Sequence, residues 1–148
     1  MNYSVTQNGK PLDKKLYTFD ESTRTFSSDE DNLVLDFSGI DYCVFTTGSY
    51  CVFTTGSYCR FSTGSYCKFT TSSYCVFDID SGCVFTTGSS CVVVRRDVYE
   101  VIELVENQKI KLNGYGIKGF TILDEVISLS GKEVKLTLDG VEYTAVIK

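Results

Sequence analysis

The chain has 148 residues, 43% apolar and 22% charged, with one Pro, no His and a formal charge of −5. That composition belongs to a packed globular protein and excludes a disordered one; without His there is no His-based dyad, triad or zinc site. The charge is −4 over residues 1–42, +2 over 43–96 and −3 over 97–148, and Lys14-Lys15 and Arg95-Arg96 are the only adjacent basic pairs, so direct nucleic-acid binding is not expected.

In chain order, the opening "MNYSVTQNGKPLDKKL" lacks the apolar core of a signal peptide. No apolar run reaches the roughly 18 residues of a membrane helix. The expected location is the cytoplasm, or a virion if the chain is phage-derived, with no signal-peptide export and no membrane partner. Residues 1–34 read as a β-rich N-terminal cap, with a turn at Asn8-Gly9 between short strands rich in Thr, Tyr and Phe. "LDFSGIDY" then reads as a degenerate leading octad, with Leu35 in the place later held by Cys and Phe37 in the place later held by Phe.

From Cys43 the octads are CVFTTGSY, CVFTTGSY, CRFSTGSY, CKFTTSSY, CVFDIDSG, CVFTTGSS and CVVVRRDV. Cysteine opens each one, at Cys43, Cys51, Cys59, Cys67, Cys75, Cys83 and Cys91. Phenylalanine holds position three at Phe45, Phe53, Phe61, Phe69, Phe77 and Phe85, followed by Val93. Position two admits Arg60 and Lys68, position four admits Asp78, and position five is Thr five times and Ile79 once. Charge at two and four but not at one and three is period-2 alternation, with one, three and five inward. Each octad is expected to be a strand of about five residues, turned by Gly-Ser, with Gly as the residue free to adopt positive φ.

The expected fold is all-β: an octad-repeat β-solenoid over residues 35–96, two octads per coil, coils stacked at ~4.8 Å. Cys43, Cys59, Cys75 and Cys91 then line one wall and Cys51, Cys67 and Cys83 the other, with Phe45, Phe61 and Phe77 against Phe53, Phe69 and Phe85. Each coil buries its apolar side only against the next, and a one-residue slip would turn every Cys and Phe outward. The alternative is a triple-stranded β-helix trimer; the needle of contractile-phage tail spikes shares the octad period but not the residues. In the two-octad coil, deleting one octad is expected to misplace the C-terminal module, whereas deleting two restores its side of exit.

Residues 97–148 read as a C-terminal β-module. The alternation of "VYEVIELV" favours a strand, and "KEVKLTLDGVEYTAVI" reads as a hairpin across Asp139-Gly140. Both flanks cover the free β-edges that a bare terminal coil would expose.

The array, the leading "NLVLDFSGI" and the trailing "CVVVRRDVYEVIEL" and "IKLNGYGIKGF" resemble uncharacterised octapeptide-repeat proteins, C-x-F-x-T-G-x-x, of bacteria, phages and large DNA viruses. The resemblance spans most of the chain. It implies a β-solenoid and brings no activity with it.

Few residues suggest chemistry. Evenly spaced thiols lack the Cys-x-x-Cys clustering of a metal site, and vertically stacked Cβ atoms sit wider than the ~3.8 Å a disulfide prefers; the cysteines are expected to be a buried, reduced ladder. Asp78 and Asp80 open a calcium-like loop but lack a late bidentate Glu, so they are weak metal candidates and no cofactor is assigned. "NGYGIKGF" lacks the Ser/Thr and helix of a phosphate loop. Tyr50, Tyr58, Tyr66 and Tyr74, with Tyr42 before them, sit at the corners, as ring-stacking platform, core cover or protein contact. With the outward Val44, Val52, Val76 and Val84 they form a candidate interaction surface. No acid–base pair or nucleotide loop assembles, so neither an enzyme nor a small-molecule substrate is expected. The expected role is a non-enzymatic structural or protein-interaction scaffold, phage- or mobile-element-derived, with a protein partner or self-association. The alternative is an acidic, nucleic-acid-mimicking inhibitor of a DNA-handling enzyme.

Overall fold

The computed structural model describes residues 1–123 throughout and, by backbone alone, the strands Glu133–Leu138 and Val141–Val146. Before the repeat lie β1 (Ser4–Gln7), β2 (Lys10–Pro11), β3 (Thr18–Asp20), β4 (Thr25–Ser27) and β5 (Leu33–Phe37). The repeat supplies β6 (Val44–Thr46), β7 (Val52–Thr55), β8 (Arg60–Ser62), β9 (Lys68–Thr70), β10 (Val76–Ile79), β11 (Val84–Thr86) and β12 (Cys91–Arg95). Then come β13 (Glu100–Leu104), β14 (Ile110–Leu112), β15 (Phe120–Ile122), β16 (Glu133–Leu138) and β17 (Val141–Val146).

Successive octads alternate between two facing sheets. One runs β15-β14-β11-β9-β7-β5-β1-β2, the other β13-β12-β10-β8-β6-β4-β3. Within each sheet the octads pair in parallel with the next octad but one: Phe45 with Phe61, Phe61 with Phe77, Phe53 with Phe69, Phe69 with Phe85. Two octads therefore make one coil of a β-solenoid. The intertwined trimer is not favoured, because strands β6 to β11 find both ladder neighbours in their own chain.

The two Phe columns account for the strictness of the repeat. Along a column the rings are parallel and near 5 Å apart, as in Phe53–Phe69 at 5.0 Å and Phe61–Phe77 at 4.9 Å. Between columns they meet edge to face, Phe61–Phe69 at 5.0 Å and Phe69–Phe77 at 4.9 Å. Each ring thus uses its faces on its own column and its edge on the other, both favoured aromatic geometries. Tyr3 stacks on Phe37 at 4.9 Å and Phe19 meets Phe37 edge-on, closing the N-terminal end of the array. Ile79, Val93, Ile102, Ile110 and Leu112, all buried, continue it at the other.

The inward parity of positions one, three and five holds, but four details differ from the sequence reading. The leading octad is shifted: Leu35 pairs with Phe53 and Phe37 with Thr55, so Leu33, not Leu35, stands in the Cys place. The corner at residues 38–42 is two residues longer than a repeat corner, which counting back by eight from Cys43 misses. Coil stacking also starts earlier than residue 35, because β4 already pairs in parallel with β6. Ladder strands within the repeat are three to five residues long, so the corners are wider than expected.

The fourth difference concerns the corner glycine. The left-handed residue is the tyrosine at position eight, with φ of 60° at Tyr42, 58° at Tyr50 and 60° at Tyr74. The glycine at position six is needed for room. A Cβ on Gly56 would lie 2.8 Å from the Ile40 carbonyl oxygen, and one on Gly88 would lie 2.8 Å from the Ser73 backbone nitrogen. Position seven bridges the gap between coils: Ser65 N–H donates to Ser49 Oγ at 3.0 Å and Ser89 N–H to Ser73 Oγ at 3.0 Å. In the first coil, Asp31 and Asp41 carboxylates take that role for Ser49 and Ser57, each at 2.7 Å.

Antiparallel strands cover both ends. β1 lies on β5 and β3 on β4; β13 lies on β12 and β14 on β11, followed by β15. The Asn8-Gly9 turn is present, both residues at positive φ, as a two-residue hairpin turn requires. "VYEVIELV" is strand over Glu100–Leu104. β16 and β17 pair in the expected register, Leu138 opposite Val141; the turn at Asp139-Gly140 lies outside the described residues.

The octad-deletion expectation changes with this geometry. The strands β13 and β14 rest on β12 and β11, downstream of any cut at Cys51–Tyr58, so they travel with their own coil. Both walls carry near-identical octads, and a half-coil shift replaces like with like. Deleting Cys51–Tyr58 should therefore give a cooperative folded protein at least as stable as deletion of Cys51–Tyr66. Urea melts of the two variants check this; a less stable one-octad variant would mean that the two walls are not interchangeable.

Candidate functional site

The corner places each thiol where two backbone groups fall outside the strand ladder. Cys51 N–H points to Cys67 Sγ at 3.4 Å, Cys67 N–H to Cys83 Sγ at 3.4 Å, and Cys75 N–H to Cys91 Sγ at 3.4 Å. The same thiols lie 3.6 Å from the position-six carbonyls of the preceding coil, Cys67 from Gly48 and Cys83 from Gly64. A thiol is a weak donor and a weak acceptor, and here both capacities join coils. All seven cysteines are buried and free.

This environment suppresses reactivity. The hydrogen bond between neighbouring thiols, and then burial, push Cys51 and Cys91 far above the ordinary thiol value. At Cys67 the bond with Cys51 lowers the pKa, but the bond with Cys83 and burial together outweigh it and raise it to about 11. Cys43, at the column's end, is lowered by its bond with Cys59, with Arg24 nearby. High-pKa buried thiols are poor nucleophiles and poor ligands, and no group of three or more Cys, Asp or Glu is arranged for a metal among the described residues.

A pH dependence follows. A thiol whose folded pKa exceeds its unfolded value contributes stability fully below the unfolded value and loses it as the pH rises through the folded one. For Cys67 that window runs from 9.0 to about 11. The urea midpoint should hold to pH 9 and fall towards pH 11. At pH 8 the native protein should leave its thiols largely unlabelled until denatured; full native labelling would contradict their burial.

The tyrosines form two columns at opposite corners. Tyr42, Tyr58 and Tyr74 stack at 4.9 and 5.0 Å, and Tyr50 on Tyr66 at 5.4 Å. They remain 45–62% exposed. Left-handed φ costs a non-glycine residue roughly 1–2 kcal/mol, and each ring pair returns about 0.5–1.5 kcal/mol, so stacking offsets much of the strain. Because neighbouring rings occupy one another's faces, only edges and hydroxyls line each column between its ends. A sugar or base cannot insert between them, so any ring face open to a ligand lies at a column end.

The valine rows are mixed, not continuous. Val44 aligns with Arg60 and then Val76; Val52 aligns with Lys68 and then Val84. Val44 and Val52 are exposed, while Val76 and Val84 are half-buried.

Asp78 and Asp80 both face Arg96, whose Nη2 lies 3.1 Å from Asp80 Oδ2 and whose Nε lies 3.5 Å from Asp78 Oδ1. Arg96 also donates to the Thr63 carbonyl. The guanidinium stands where a cation would have to sit, so the loop is a salt-bridged corner. Sixteen residues separate Arg96 from Asp80, one coil, which is why the pairing is hidden in linear sequence.

Arg95 is the residue whose role the sequence does not disclose. It occupies inward position five and is fully buried. Its guanidinium meets Asp97 with two bonds, Nη2–Oδ2 at 2.6 Å and Nε–Oδ1 at 3.1 Å, and donates to the Ile117 and Gly114 carbonyls at 2.6 and 3.3 Å. Asp97 accepts from Gly116 N–H at 3.1 Å and Glu100 from Gly119 N–H at 3.0 Å. Burial pushes the Asp97 carboxyl up, but the bonds from Arg95 and Gly116 prevail and hold it below the usual range. "NGYGIKGF" is thus a clamped loop, displaying Tyr115 and Ile117 to solvent.

These features define a capped single-chain β-solenoid with thiol-joined corners and outward tyrosine columns. Comparison with protein-family models, curated proteins and solved structures finds no match to this chain.

Proposed function

We propose that the chain is a non-enzymatic scaffold that contacts a protein, a partner or another copy, through its tyrosine columns. The observation that carries this is the presence of five half-exposed tyrosines at left-handed corner sites, where Asn or Gly would serve the backbone at less cost. Tyrosine supplies large, rigid, amphipathic contact area and is enriched at protein interfaces. The stack fixes the rings before contact, so little side-chain freedom remains to be lost on binding. Rigid coils with Arg60 and Lys68 beside Val44 and Val52 suit a mixed polar and apolar contact. The repeat's resemblance to octad proteins of bacteria, phages and large DNA viruses is compatible with a mobile-element origin. The acidic-mimic reading has less support: the repeat is net +2, and Asp31 and Asp41 use their carboxylates to hold corner amides.

Replacing Tyr50, Tyr58, Tyr66 and Tyr74 with Asn, which tolerates left-handed φ, tests the reading. The variant should keep a cooperative melt but lose the self-association or partner binding of the parent chain, measured by light scattering and by co-purification. A parent that is monomeric and partnerless, and indistinguishable from the variant, would count against the scaffold role.

A further inference from the structure

Among the described residues the C-terminal end of the coil is incomplete, and the same chain carries an element that fits it. Inward residues of the array contact two strands of the opposite sheet, as Phe69 meets Phe61 and Phe77. Pairing places Phe120 opposite Leu112 and Ile122 opposite Ile110, so Phe120 and Ile122 share the core-facing side of their sheet. Ile110 and Leu112 are buried, but Phe120 is 41% and Ile122 55% exposed. The reason lies in strand order. Among the described residues the facing sheet ends at β13, whereas the alternation of strands puts β15 half a step beyond it, so β15 lacks a second opposing neighbour there. Among the described residues both β13 and β15 are terminal strands, and such edges are of the kind proteins normally cover.

The β16–β17 hairpin pairs only with itself among the described residues. Its register sets Val134 opposite Ala145, Leu136 opposite Tyr143 and Leu138 opposite Val141. Period-2 alternation puts these six at positions on one face, with Glu133, Lys135, Thr137, Glu142, Thr144 and Val146 on the other. A two-stranded hairpin that pairs only with itself is marginal in water. The nine residues between Leu123 and Glu133 can reach about 30 Å, several times the ~4.8 Å spacing between neighbouring strands.

We infer that the β16–β17 hairpin folds back on its own coil, adds to the free edge of β13 and lays its apolar face over Phe120 and Ile122. A short tether gives the hairpin an effective concentration in the millimolar range, so its own end outcompetes a second copy at ordinary protein concentrations. This end is separate from the tyrosine columns, and the inference does not rest on the scaffold reading.

Amide hydrogen exchange of Glu100–Leu104 in the full chain tests it. Leu136→Asp should speed exchange at the outer edge of that strand by at least about tenfold, and Thr137→Asp on the opposite face should not, with the parent monomeric by light scattering. Unchanged exchange in Leu136→Asp would overturn the inference. So would protection that appears only as the parent dimerises, which would assign the site to a second copy's hairpin. If Leu136→Asp fails to fold, a thermodynamic cycle of Phe120→Ala and Leu136→Ala decides: non-additive losses are expected, and additive ones overturn the inference.

Discussion

Phe69→Ala should destabilise the protein by about 3–5 kcal/mol, while Lys68→Ala beside it should stay within about 0.5 kcal/mol. Phe69 is buried in the middle of the array, stacked on Phe53 and Phe85 at 5.0 Å each and edge-on to Phe61 and Phe77. Its loss removes four ring contacts at once, and the rigid ladder on either side limits collapse into the cavity. Lys68 lies one residue earlier on the outer face, exposed. The comparison is read from urea midpoints at constant slope. Equal shifts for the two variants would mean that the strand faces are reversed.

Arg95→Ala should cost a similar amount, about 3–5 kcal/mol, for a different reason. The substitution leaves the Asp97 carboxylate, only 3% exposed, without its counter-charge, and strips the Gly114 and Ile117 carbonyls of their donor. Arg95→Lys should recover little, since an ammonium cannot reproduce the two-point contact with Asp97 while also reaching both carbonyls. Amides of residues 114–119 should exchange faster in both variants. A Lys variant as stable as the parent would show that charge alone, not the planar fork, holds the loop.

The linear sequence determined the solenoid because its information is periodic. Charge at Arg60, Lys68 and Asp78 against constant Cys and Phe sets strand parity, and parity with an eight-residue period leaves few ways to bury the Phe ring. The walls, the columns and the hairpin register were legible for that reason. Tertiary structure alone decided what depends on contacts one coil away. Gly56 is small because Ile40 passes above it; Arg96 neutralises Asp80 across one turn; Cys67 gains its partners from Gly48 and Cys83. The leading register, with Leu33 in the Cys place, also escaped the sequence reading, because a corner can lengthen without altering the strands it joins. Arg95 shows the limit of parity most directly. Alternation assigns its direction, inward, but only the folded loop at 114–119 supplies the carboxylate and carbonyls that allow a charge to be buried there.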